Sequence, residues 1–113
     1  MITITGSNPA DLLAKIRKAI DDGHVTTWEY DTEGDFTHIT SDKQWYKEAW
    51  FRPSEENGDL IFGIVGTKGT MMTKVLYGIY HGRFSEMLLS HFDKDFSSLA
   101  LSALAVKPPD IFS

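Results

Sequence analysis

The chain contains no cysteine, which removes disulfides, thiolate nucleophiles and sulfur metal ligands together. It also lacks an excess of positive charge. The 11 Lys and Arg residues are outnumbered by 16 Asp and Glu, for a net charge of −5. Non-specific nucleic-acid binding needs a basic surface, so no nucleic-acid partner is expected. No apolar run approaches the roughly 20 residues that span a bilayer, so no membrane partner is expected either. The opening Met1-Ile-Thr-Ile-Thr-Gly6 has neither the basic region nor the long apolar run of a signal peptide. These features predict a cytoplasmic protein. Internal repeats, linkers and low-complexity segments are absent as well.

Catalytic patterns are equally scarce. The four histidines (His24, His38, His81 and His91) form no H-x-x-x-H or H-x-x-E-H spacing, so no metal site is expected. No serine occupies a Gly-x-Ser-x-Gly elbow. Gly66-Thr-Lys-Gly-Thr70 is glycine-rich, but it lacks the G-x-x-x-x-G-K-[ST] spacing of a phosphate loop. Asp31-Thr-Glu-Gly-Asp35 bunches carboxylates but is shorter than an EF-hand loop. No catalytic residue and no cofactor are assigned.

What the sequence does contain is the composition of a folded domain. Its 113 residues are 42% hydrophobic and include three Trp, four Tyr and seven Phe. That length fits a single domain spanning residues 1–113, able to bury a core without staples. Ile2–Thr5 alternates as a short edge strand. Asn8 as N-cap, Pro9 at the first helical position and Asp11 in the first turn predict a helix over Pro9–Asp22, closed by Gly23. Residues 24–80 then read as five β-type runs: His24–Tyr30, Phe36–Thr40, Gln44–Phe51, Leu60–Val65 and Met72–Tyr80. Glu33-Gly34, Asp42-Lys43, Asn57-Gly58 and Lys68-Gly69 mark the breaks between them. A helix follows Gly82, with Phe84, Met87, Leu88 and His91 or Phe92 on its apolar stripe, and Asp93-Lys94-Asp95 ends it. Residues 96–106 fit either period, and their serine-rich alternation after a polar break favours a strand. Pro108-Pro109 ends regular structure. The fold class is α+β: an antiparallel meander of five to six strands, with an N-terminal and a C-terminal helix packed on one face.

Two-residue turns would fix the register. They place Trp28, Ile39, Tyr46, Trp50, Ile61, Val65, Met72 and Leu76 on the core face. The opposite face starts polar, with Glu29, His38 and Lys47 in one row. It then becomes apolar through Phe51, Phe62, Ile64, Val75, Tyr77 and Ile79. A monomer rarely exposes such a patch, so either the C-terminal segment covers it or another chain does. The first and third turns share one end of a meander and carry Asp31, Glu33, Asp35, Glu55, Glu56 and Asp59. That end suits a basic protein partner.

The function expected from these features is a non-enzymatic protein-interaction module, self-associating or inhibitor-like. Small bacterial inhibitors and immunity proteins share this acidic composition, an analogy of composition alone. The alternative is a small-ligand binder or enzyme. It would use His81, Gly82 and Arg83 at a strand-to-helix junction as an anion site, or His38 with Glu29 as an acid–base pair.

Overall fold

The computed structural model describes residues 1–40, 43–69 and 71–111. Chain order is β1 (Ile2–Thr5), α1 (Pro9–Asp21), β2 (Trp28–Tyr30), β3 (Phe36–His38), β4 (Ala49–Glu56), β5 (Asp59–Gly66), α2 (Lys74–His91) and β6 (Ser98–Leu101). The strands form one six-stranded sheet in the order β2-β3-β4-β5-β1-β6, antiparallel at every pairing of strands. The fold is α+β, as the sequence predicts. Among the described residues, no helix is long and apolar enough to cross a membrane.

Local chemistry accounts for the elements that match expectation. The Asn8 carboxamide accepts a hydrogen bond from the Asp11 amide at 3.1 Å, which caps α1. Leu12 and Ile16 carry its buried stripe. Asn57 (φ 53°) and Gly58 (φ 83°) both occupy the left-handed region that a tight hairpin needs, and Trp50 then faces Val65 as expected. Of residues 96–106, Ser98–Leu101 form a strand, and the rest is irregular.

Three expectations are corrected. Met72–Tyr80 is not a fifth strand, because α2 begins at Lys74. Thr73 is its N-cap, and its hydroxyl accepts from the Leu76 amide at 3.0 Å. β1 is not an edge strand, since it lies between β5 and β6. The turn after β2 is longer than two residues. The Asp31 carboxylate accepts from the Glu33 and Asp35 amides, each at 3.0 Å, and holds a loop over residues 31–35. Trp28 therefore pairs with His38 instead of Ile39, a one-residue slip. The turn expected at Asp42-Lys43 includes Asp42, which lies outside the described residues.

The slip and the long helix exchange the two faces. Phe36, Phe51, Leu60, Phe62 and Ile64 line the true core face, with Ile2 and Ile4 of β1. The expected core residues Trp28, Ile61 and Leu76 are indeed buried, whereas Tyr46 is exposed and Ile39, Trp50, Val65 and Met72 are only partly buried. α2 covers the core face with Leu76, Tyr80, Phe84 and Leu88. Phe84 is the hub. Its ring centroid lies 4.8 Å from those of Trp28, Phe51 and Phe62, and 5.8 Å from Phe36. On the opposite face the chain returns near its C-terminus. Gly63 leaves no room for a Cβ beside the Pro109 carbonyl. Ile111 then pairs in parallel with Val65, next to β5 where β1 has ended.

Removing the hub should leave a cavity that the four surrounding strands cannot collapse into. Phe84→Ala is expected to cost about 3–5 kcal/mol in urea unfolding. A loss under 1 kcal/mol would show that α2 is not the main cover of the sheet.

Candidate functional site

Sequence reasoning proposed three sites, and the structure redistributes their residues. Phe51, Phe62 and Ile64 were expected on an uncovered apolar face, but all three are fully buried under α2. Val75, Tyr77 and Ile79 are helical residues and not neighbours of that row: Val75 is exposed, and Tyr77 and Ile79 are partly buried. Glu55 and Glu56 remain exposed at the end of β4.

His38 and Glu29 are not a pair. Trp28 and His38 share the core face because they are directly opposite, which sends Glu29 to the other face. There Glu29 meets Lys47 at 3.2 Å.

His81, Gly82 and Arg83 lie in the interior of α2, so no helix N-terminus is available to bind an anion there. Residues two apart on a helix diverge by roughly 160°. His81 and Arg83 accordingly serve opposite flanks.

The His81 flank is a closed polar cluster. The His81 Nδ1 lies 2.7 Å from the Tyr77 carbonyl, and its Nε2 lies 2.8 Å from the Met1 amino nitrogen. An ammonium only donates and a carbonyl only accepts, so the proton sits on Nδ1. The Met1 nitrogen also lies 2.9 Å from the Tyr77 hydroxyl, 3.0 Å from Ser102 Oγ and 3.1 Å from Asp110 Oδ2, so its three hydrogens are shared among four acceptors. Asp110 is buried, and it accepts from the Ile64 amide at 2.9 Å and the Val106 amide at 2.7 Å. These bonds join the start of the chain, α2, β5 and the C-terminal segment. Their role is architectural, since each polar group meets a short internal partner.

The Arg83 flank is open. Arg83, Glu86 and Ser90 follow one another at helical spacing, and together with His91 they face Thr27, His38 and Thr40 across a cleft of about 510 Å³. Trp28 and Met87 also line it. His38 is buried against the Trp28 ring, with centroids 5.1 Å apart. The Arg83 guanidinium reaches His38 Nε2 and Gln44 Oε1, both at the long distance of 3.5 Å. Among the described residues no carboxylate forms an ion pair with it. Gln44 belongs to a segment of unusual backbone in which Lys43, Trp45 and Lys47 all have positive φ. Such residues cost roughly 1–2 kcal/mol each. Tyr80 of α2 holds the segment in place: its hydroxyl donates to the Trp45 carbonyl at 2.7 Å and accepts from the Glu48 amide at 2.9 Å.

Sequence reasoning selected His38 and Arg83, but for separate sites, and it missed Glu86 and Ser90. The signal for Arg83, Glu86 and Ser90 was the helical period running back to Thr73, and that for His38 was the register set by the 31–35 loop. Among the described residues no group of three or more His, Asp or Glu side chains is placed to hold a metal ion. Comparison with protein-family models, with curated proteins and with solved structures gives no match.

Burial, followed by the Met1 ammonium charge, lowers the His81 pKa from 6.5 to about 4. The unfolded chain therefore binds a proton between these values that the folded chain refuses. Stability should be fully present above pH 6.5 and fall as pH drops toward 4, by about 3 kcal/mol from this group. His81→Gln removes the titration. Its unfolding free energy should show a shallower decline than the wild type across that window, and parallel curves would assign the acid sensitivity elsewhere.

Proposed function

We propose that the protein binds a small anionic ligand in the cleft between α2 and the β2–β3 hairpin. One observation carries this reading. Arg83, which forms no ion pair among the described residues, turns its guanidinium toward a buried histidine in a polar cleft and touches its neighbours only at 3.5 Å. A cation that served only the fold would be expected at ordinary hydrogen-bond distance, as Arg52 is with Asp35 at 3.0 Å. The cleft volume lies in the range of small-molecule sites. A phosphate or carboxylate would sit between Arg83 and His38, and Ser90, Thr27 and Glu86 are available to hydroxyl groups of the same molecule. The protein's net charge of −5 opposes anions at long range, so the ligand is small and its recognition local.

Amide and imidazole chemical shifts provide the test. Titration with inorganic phosphate and then a nucleoside monophosphate should move the signals of His38, Arg83 and Ser90. Arg83→Gln should weaken the stronger ligand by roughly ten- to a hundredfold, the worth of one charge-assisted hydrogen bond. Shifts that are absent at millimolar ligand, or that persist unchanged in the variant, would rule this site out.

A second reading, the protein-interaction module, draws on the acidic end. The β2–β3 and β4–β5 turns lie at the same end of the sheet. Arg52 there is already held by Asp35 at 3.0 Å and Glu33 at 3.7 Å. Asp31, Glu55 and Glu56 remain exposed. A basic protein partner bound at this end should dissociate as salt rises and should be lost from the Glu55→Lys, Glu56→Lys double variant. Salt-resistant binding would count against it.

A further inference from the structure

The two ends of the sheet are protected unequally. At one end β2 is three residues long and carries Glu29, paired with Lys47 at 3.2 Å. Short length and charge both discourage the addition of a foreign strand. At the other end β6, Ser-Leu-Ala-Leu over 98–101, has no charge and no proline. Among the described residues it pairs with β1 alone.

The hydrogen-bond phase of β6 follows from its neighbour. The Ser102 amide donates to the Met1 carbonyl at 3.0 Å. Alternation along an antiparallel ladder then turns Ala100 and Ser98 toward β1, and leaves the amides and carbonyls of Leu99 and Leu101 pointing outward. Those two residues also share the face of Ile4 and Ile2, their partners on β1. Leu99 packs partly against the core, but Leu101 lies past the cover of the helices and is 45% exposed.

We propose that this edge pairs antiparallel with the same edge of a second copy of the chain. The arrangement is self-complementary. A two-fold axis at Ala100 sets Leu99 of each copy opposite Leu101 of the other. Both residues are in the outward phase, so each donates and accepts one backbone hydrogen bond. The Leu99 and Leu101 side chains of the two copies become cross-strand neighbours on the helix-bearing side, which covers Leu101. The contact is isologous and closes after two copies, whereas β6 on β2 would build an open filament against the charge at Glu29. The His38–Arg83 cleft lies toward the other end of the sheet, so dimer formation and ligand binding are independent.

Sedimentation of the full chain across a concentration series should show a monomer–dimer equilibrium in the micromolar range. Leu101→Lys places a charge on the edge and should give a monomer at every concentration. Leu101→Pro deletes the outward N–H without removing a donor to β1 and should also give a monomer. Far-UV circular dichroism should be unchanged in both. Hydrogen exchange of the wild type adds a test without mutation. The Leu99 and Leu101 amides should be protected at high concentration and exchange faster on dilution, while the inward Ala100 amide stays protected throughout. A wild type that remains monomeric overturns the proposal. So does a dimer that survives both substitutions, or one whose Leu99 and Leu101 amides exchange independently of concentration.

Discussion

The packing of α2 onto the sheet is the constraint from which the rest follows. Phe84 is in ring contact with Trp28 of β2, Phe36 of β3, Phe51 of β4 and Phe62 of β5. One side chain therefore locks the rotation of the helix against four strands. With Phe84 at the centre of the buried face, the 3.6-residue period fixes where every other residue of α2 points. Leu76, Tyr80 and Leu88 also face inward. Tyr77 and His81 fall on one flank and meet the start of the chain and Asp110. Arg83, Glu86 and Ser90 fall on the other and meet His38. The two polar clusters are thus consequences of a single helical phase.

That phase was hard to read because α2 is apolar on more than its buried face. Val75 and Leu89 are more than half exposed, which blurs the usual stripe. Val75, Tyr77 and Ile79 alternate like a strand, and Gly78 and Gly82 lower helix propensity. The competing signal was one residue, Thr73, in a capping position. Elements with redundant signals fared better. α1 had Asn8, Pro9, its apolar period and Gly23 in agreement, and the β4–β5 hairpin had Asn57-Gly58 between two alternating runs.

Misreading residues 74–80 had a consequence beyond secondary structure. A strand cannot cover a face of its own sheet, so adding one left Phe51, Phe62 and Ile64 without a lid and suggested a partner. As a helix, the same residues are the lid. The slip at the 31–35 loop acted in the same direction, because a one-residue shift moves a strand's side chains to the other face. It carried His38 from the core side to the solvent side and gave it Glu29 as a false neighbour. The correct register puts His38 on Trp28 and brings it within reach of Arg83. The site residues were therefore visible by type and hidden by phase.

The two flanks of α2 finally differ in how tightly their polar groups are paired. A buried polar group left unsatisfied costs roughly 1–3 kcal/mol, so a fold closes its own networks tightly. The His81 flank obeys this, with the hydrogen bonds of Met1, His81 and Asp110 lying between 2.7 and 3.1 Å. Asp110 alone ties three segments there, so the cluster's polar capacity is spent on architecture. The Arg83 flank differs and is more open, with Arg83 only partly buried and Gln44 exposed. A guanidinium with several donors reaches its neighbours only at 3.5 Å, beside a cleft large enough for a small molecule. Tyr80 meanwhile holds the strained 43–47 segment that carries Gln44 to within 3.5 Å of Arg83. On the proposed reading, strain beside these long contacts is what a pre-organised anion site would require.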